Sequence, residues 1–310
     1  MTLRSVNPYT SYQVLLDLQR TKDQLANLQE QLASGNRLVR LGDDPTASSL
    51  VLDFQNSIAK NKAFIQQADS ATSFLSTTET SLQSVNDAIT RLLELGQQGL
   101  NDITSAAGRT ALSHEVDGLR TNLLSIANTQ AQGKYIFGGT QTTAVPFREL
   151  IPGTITYEGD DQSIDLDVST STRVATNLPG NTAFFGGPAN AATHVGQTPA
   201  DDLFRQVTDL SVGLATNDRA MIQTAYDNLK TIQARVNDQM TDLGGRQASL
   251  DQLRDNVGSY NLSLQTIQGS YQDLDYAEAI TEYNQAQTAQ QASLSVLAKS
   301  SQRNLLDYLG

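Results

Sequence analysis

Chemistry that needs a side chain to ionise, ligate or attack has little to work with in this sequence. There are two histidines, His114 and His194, and no cysteine. Thiol nucleophiles, disulfides and cysteine-based metal sites are therefore excluded. His114 lies off the Leu112, Val116 and Leu119 stripe and is read as facing solvent, while His194 sits in a glycine- and proline-rich stretch with no ligand spacing to a neighbour. The densest carboxylates are Asp160, Asp161, Asp165 and Asp167. A calcium loop wants several such oxygens around a tight turn. Here Asp165 and Asp167 alternate with Ile164, Leu166 and Val168, the pattern of a strand with one wet face. No G-x-x-x-x-G-K-[ST] occurs, no G-x-G-x-x-G follows a strand, and G-x-S-x-G is absent. The expectation is a protein that is not an enzyme, with no catalytic residue, no cofactor and no metal.

The patterning that remains belongs to helices. Leu18, Leu25 and Leu32 recur every seven residues, with Leu28 on the adjoining position, and Ile280, Tyr283, Leu294, Leu297 and Leu305 mark a sparser stripe near the end. A two-position seam is the coiled-coil pattern, narrower than the face a globular helix buries. Such segments cannot bury themselves and need each other or neighbouring chains. We take these nine residues as the candidate assembly interface.

Composition agrees with slender cores. Of 310 residues only 38% are hydrophobic and 6% aromatic, with no tryptophan. The net charge of −12 argues against a surface that tracks phosphates, so no nucleic acid is expected. No run reaches the ~18–20 apolar residues of a membrane span, and the first twenty residues lack the apolar core and small-residue cleavage site of a cleaved secretory signal.

The elements follow from start and stop signals. A first helix runs from about Tyr9 to Ser34, with Gly35 as its stop. Asp44-Pro45 restarts the chain: Asp as N-cap, Pro at the first helical position, where its missing N–H costs nothing. Val51, Phe54, Ile58, Ile65, Ala68, Leu75, Leu82, Ile89 and Leu93 then mark a long helix, with Glu79 on its seam as either an exposed residue or a buried register-setting one. Gly96, Gly99 and Gly108 are expected to bracket a break. A second helix folds back through Leu112, Val116, Leu119, Leu123 and Ile126 until Gly133. Five of the seven prolines fall between Val145 and Ala200, among short alternating stretches, so this segment reads as a β-rich insertion with a marginal core of its own. Helical period resumes at Leu203, is expected to break at Gly244-Gly245, and continues through Leu250, Leu253, Val257, Tyr260, Leu264, Ile267, Tyr271 and Leu274 before a terminal helix near Tyr276. The fold class is mainly α with a small β-rich insertion, an elongated antiparallel helical bundle or coiled coil formed by the N- and C-terminal regions. The expected divisions are 1–42, 43–144, 145–200, 201–275 and 276–310.

Several of these stretches resemble the bacterial flagellin family. Leu32-Ala33-Ser34-Gly35-Asn36-Arg37-Leu38, followed by Asp43-Asp44-Pro45-Thr46-Ala47, resembles the family's N-terminal signature, in which an L-x-[ST]-G-x-[RK]-[IVL] run ends the first helix and a D-D begins the next. Gly35, Arg37, Asp43, Asp44 and Pro45 carry that match. Ser76 to Leu82 is similar to a T-T-E-x-x-L run, Asp273 to Glu278 to D-x-D-[YF]-A-x-E, and Gln290 to Ala298 to Q-Q-A-x-x-[SA]-[VM]-L-A. Pro45 after Asp44, and Gly133 to Thr140 leading to Pro146-Phe147, resemble members that join hook to filament more than filament subunits. The insertion from Val145 to Ala200 matches only loosely. The resemblance implies a secreted structural subunit of the bacterial flagellum, exported by the flagellar type III apparatus without a cleaved signal peptide. Its implied partners are a preceding hook-associated protein, flagellin, copies of itself in a ring, and a flagellar export chaperone. The alternatives are a filament flagellin and a non-flagellar coiled-coil interaction protein.

Overall fold

The computed structural model of the chain describes residues 8–309 apart from 41, 152, 168–172, 188–194 and 197, with side chains described between 12 and 298 except 167. Six helices dominate: α1 Pro8–Ser34, α2 Pro45–Leu100, α3 Ala106–Ala127, α4 Leu203–Thr216, α5 Arg219–Gln272 and α6 Tyr276–Leu309. At ~1.5 Å per residue, α2 alone is roughly 84 Å long. Three two-stranded antiparallel ladders lie between α3 and α4: β1 Gln130–Ala131 with β2 Lys134–Tyr135, β3 Phe147–Ile151 with β4 Thr154–Tyr157, and β5 Asp165–Asp167 with β6 Arg173–Ala175. The chain is thus mainly α with a small β-containing insertion. It forms two compact units, one from residues 1–62 and 259–310, the other from 63–258.

The second, central unit has one continuous core. Leu75, Leu82, Ile89, Leu92 and Leu95 of α2 pack with Val116 and Leu123 of α3, Leu203, Val207 and Leu210 of α4, and Leu229, Ile232 and Val236 of α5. Residues 145–200 bury no separate core among those described. Phe147, Ile155, Tyr157, Phe184 and Phe185 join the helical core instead. Phe147 stands 5.0 Å from both Tyr157 and Phe184, and Phe184 stacks on Phe204 at 5.5 Å. So few strands cannot shield these rings by themselves, and the insertion folds because the helices supply the other wall. A short π-helix, Asn181–Phe185, turns Phe184 and Phe185 inward.

Of the two expected breaks, the one bracketed by Gly99 and Gly108 is present and the one at Gly244-Gly245 is absent. Gly96 and Gly99 lie inside α2, which ends at Leu100, and Gly108 lies in the first turn of α3. They are there for room. A Cβ on Gly96 would come within 3.2 Å of the Tyr226 ring, and one on Gly99 would collide with Cδ2 of Leu214. The real break is residues 101–105, closed by Ser105, whose Oγ caps α3 by accepting the Gly108 N–H at 3.1 Å. Gly244-Gly245 does not interrupt α5, and a Cβ on either would meet nothing within 4 Å. The second helix ends at Ala127 rather than Gly133, which instead forms the β1–β2 turn with Gln132, at φ +77° and +52°. Two positive φ values in a two-residue hairpin loop match the right-handed strand twist. Glu79 is half-buried and accepts a 3.1 Å hydrogen bond from Gln247 Nε2.

Candidate assembly surface

The family-motif residues build a node where two chain reversals lie side by side. Gly35, at φ +74°, ends α1, and a Cβ there would stand 2.7 Å from the Tyr276 hydroxyl. The connector after it pairs with the connector between α5 and α6: Leu274 N–H donates to Gly35 O at 3.0 Å and Arg37 N–H to Gln272 O at 2.8 Å. Arg37 Nη2 donates to the α5 end carbonyl of Tyr271 at 2.9 Å, while Nη1 lies 3.9 Å from Asp44. Asp43 accepts from Arg40 N–H at 2.9 Å, and Asp44 Oδ1 caps α2 by accepting the Ala47 N–H at 3.0 Å, just ahead of Pro45. Asp275 caps α6 in the same way through the Ala277 and Glu278 N–H groups. Gly35, Arg37, Asp44 and Pro45 therefore end or start a helix, and Asp43 closes the connector between α1 and α2 on Arg40. Arg40 is paired with Glu30 at 2.6 Å.

From this node α1 and α6 pack against each other. Leu25 and Leu28 are the best-buried leucines of the pair, 7% and 5% exposed, against Ala286 and Tyr283. Leu18 and Leu32 are half-buried on the same stripe. The α6 side differs from expectation. Its inward positions are Ala279, Tyr283, Ala286, Gln290, Ser293 and Leu297, an unbroken heptad in which small and polar residues outnumber large ones. Ile280 and Leu294, expected on the same side as Tyr283 and Leu297, are 49% and 50% exposed, because each sits one residue beyond an inward position. The side chain of Leu305 lies outside the described residues. Counting only large apolar residues missed Ala279, Ala286 and Ser293; a heptad count admitting Ala and Ser finds them.

A second apolar face stays open. On α1 Tyr12, Leu15 and Leu16 are 64%, 52% and 40% exposed at helical spacing, and in the same unit Tyr260, Leu262, Ile267 and Val296 are exposed as well. Exposed apolar groups gathered in one small unit make it the candidate interaction surface. No helix among the described residues is long and apolar enough to cross a membrane, and no group of three or more described His, Cys, Asp or Glu residues could hold a metal. His114 is exposed, and His194 lies outside the described residues. Asp160 is spent on structure, accepting from Thr140 N–H at 2.7 Å and Gln162 N–H at 3.2 Å.

Two polar groups of the central unit escaped the sequence reading. Arg109, 6% exposed, donates Nε to Gly99 O at 2.6 Å, Nη2 to Asn101 O at 3.0 Å and Nη1 to Asn217 Oδ1 at 2.7 Å. It thereby caps the carbonyl end of α2, where a cation is favoured. Asp202 caps α4 through the Arg205 N–H at 3.1 Å, and burial pushes its carboxyl up to about 6 against the N–H groups and the Arg205 charge that favour ionisation.

Terminal helices that meet at a capped node, and a central unit whose insertion shares the core of that unit's own helices, define a class of protein. A family model of the bacterial flagellin N-terminal helical region matches residues 7–142, and one of the C-terminal helical region matches residues 222–309. The chain belongs to the bacterial flagellin family. Within it, the chain is similar to flagellar hook-associated protein 3 of Escherichia coli strain K12, 30% identical over 277 residues covering 85% of this chain and 86% of that protein. A flagellar filament 33 kDa core protein of Treponema phagedenis is 28% identical over 274 residues, covering 88% and 87%. The fold is that of a flagellar hook-associated protein of Vibrio parahaemolyticus, with a TM-score of 0.64 and 21% identity, over 74% of this chain and all of that one.

Proposed function

We propose that this chain is the junction subunit between flagellar hook and filament, a structural protein that works by completing its terminal helices with those of neighbours. The single observation that carries the mechanism is the α1–α6 pair: the inward positions of α6 are mostly Ala, Ser and Gln set against the leucines of α1, while Tyr12, Leu15, Leu16, Ile280 and Leu294 face outward. Burying a large apolar side chain contributes about 1.5–3 kcal/mol, so covering the groups left outside would stabilise an assembly. A ring of copies set on a preceding hook-associated protein below and flagellin above would cover them. Likeness to hook-associated protein 3 supports the junction role, and Pro45 and the Gly133–Thr140 segment favour it over a filament subunit. Export as an unfolded chain through the flagellar type III apparatus, delivery outside the cell, and capture of α6 by an export chaperone complete the proposal.

Deleting the gene tests it. Loss of filaments with flagellin spilled into the medium, restored by the wild-type gene, is the expected result. Normal filaments in the deletion strain would refute the junction role, and an absence of filament protein altogether would point to a filament flagellin.

A further inference from the structure

Helix α5 carries a seam whose two halves differ in kind. One half is Leu229, Val236, Leu243, Leu250, Val257 and Leu264, spaced at strict sevens. The other, four residues on, is Gln233, Met240, Gln247, Arg254, Asn261 and Gln268, at the same spacing. Members of the second half reach α2. In the central unit Gln233 Nε2 donates to Thr90 Oγ1 at 2.9 Å, Gln247 Nε2 to Glu79 Oε2 at 3.1 Å and Arg254 Nη1 to Asp69 Oδ1 at 3.5 Å. In the terminal unit Asn61 Nδ2 donates to Asn261 Oδ1 at 2.9 Å. Asn261 is 7% exposed, the most buried of the polar set.

The apolar half is blind to alignment. Displacing α5 by seven residues along α2 brings Leu or Val onto the site of Leu or Val, so hydrophobic contact alone scores both alignments alike. The polar half is not blind, because its residue types do not repeat. After such a displacement Asn61 meets Arg254 or Gln268, and Asp69 loses its arginine. A buried asparagine in a helix pair lowers stability and discriminates between registers, since a wrong register leaves it without a partner. The α1–α6 pair has no counterpart: among the described residues its one cross-helix side-chain bond is the exposed Gln29 Nε2 to Tyr283 Oη contact at 3.2 Å.

We infer that Asn61 and Asn261, backed by Gln247 and Arg254, are the residues that select the register in which α2 and α5 pair as the chain folds. The two helices are far apart in sequence, with α3, α4 and all six strands between them, so they meet before anything covalent aligns them. The polar code rejects the displaced pairings that the apolar repeat would accept, and α1 and α6, without a code, stay free to pair with other chains.

The natural absence of cysteine makes the test direct. In the full-length chain, Phe54→Cys with Tyr271→Cys reports the native register through a short bifunctional thiol cross-linker, since the native side chains meet there with ring centroids 6.3 Å apart. Phe54→Cys with Leu264→Cys reports an alignment displaced by seven. Each pair is refolded from denaturant in the presence of the cross-linker, with the asparagines intact and with Asn61→Leu plus Asn261→Leu. With the asparagines, only the native cross-link should form; without them, the displaced cross-link should rise from background to about a tenth of the native one or more. Thermal midpoints supply a second readout: Asn61→Leu alone should lower the midpoint, and the double substitution should return it to wild type or above. A displaced cross-link that stays at background, or a double variant that unfolds or melts below both single variants, overturns the inference. Neither readout involves assembly, so the result stands apart from the proposed junction role.

Discussion

The two units are made of the same material, long helices of modest hydrophobicity, and differ in which way their apolar groups face. In the central unit Leu75, Leu82, Ile89 and Leu92 are completely buried, and six aromatic rings close the wall between helices and strands. In the terminal unit the described core is Leu25, Leu28, Val51, Ile58, Leu264 and a few alanines, while Tyr12, Leu15, Tyr260, Leu262 and Leu294 face out. One unit is finished as a monomer. The other leaves apolar groups uncovered that the proposed assembly would bury, and the capped node from Gly35 to Pro45 fixes where its helices end and start.

Truncating the centre of each core is the strongest way to break the comparison. Phe147→Ala removes a ring in contact with Tyr157, Phe184, Phe185 and Phe204 and should cost the monomer about 3–5 kcal/mol in denaturant unfolding. Leu25→Ala in the α1–α6 seam should leave that transition nearly unmoved while impairing assembly. If both substitutions shift monomer unfolding equally, the units are not different in kind.

Arg109→Met sharpens the central side. It strips two hydrogen bonds from the end of α2 and one from Asn217, leaving the Gly99 and Asn101 carbonyls without that donor, which should cost about 2–4 kcal/mol by the same measurement. The glycines give a signed pair. Gly99→Ala drives a methyl into Leu214 and should destabilise by about 1–3 kcal/mol. Gly244→Ala, with open space around it and helical backbone, should stabilise by about 0.5–1 kcal/mol. Matching signs would contradict the packing reasons assigned to these positions.

A smaller effect is pH dependence. The Asp202 carboxyl, raised to about 6 in the folded chain from the usual 3.8, binds its proton more tightly folded than unfolded. Its contribution to stability is therefore full below about pH 4 and is lost as pH rises through about 6. Asp202→Asn keeps a capping oxygen and should flatten the slope of the unfolding midpoint between those values. An unchanged slope would show that burial does not hold the proton there.

These contrasts also mark how far the sequence could be read. Gly35 and Asp44-Pro45 were legible because a cap is a local matter: one side chain, one φ angle, one missing N–H. The α1 stripe was legible because leucines repeat at seven. The α6 side was only partly so, since Ala279, Ala286 and Ser293 fill a seam without announcing it, and Ile280 and Leu294 draw the eye to a flank. Gly244 was misread, and the packing role of Gly96 and Gly99 went unseen, because glycine serves flexibility and close approach alike, and only the neighbour decides which. Arg109 gave no local signal: its partners come from the α2 end and the α4–α5 turn, which sequence spacing does not bring together.

Hydrogen exchange on the soluble monomer tests the central claim most directly. Amides of α2 between Leu75 and Leu92, and of α5 between Leu229 and Leu243, should exchange at rates near those set by global unfolding. Amides of α1 from Tyr12 to Ser34, and of α6 from Tyr276 to Ala298, should exchange within a few decades of an unfolded chain and become protected only in assembled protein. Protection of α1 and α6 in the monomer equal to that of the central helices would contradict the account, because the terminal unit would then be complete without its neighbours.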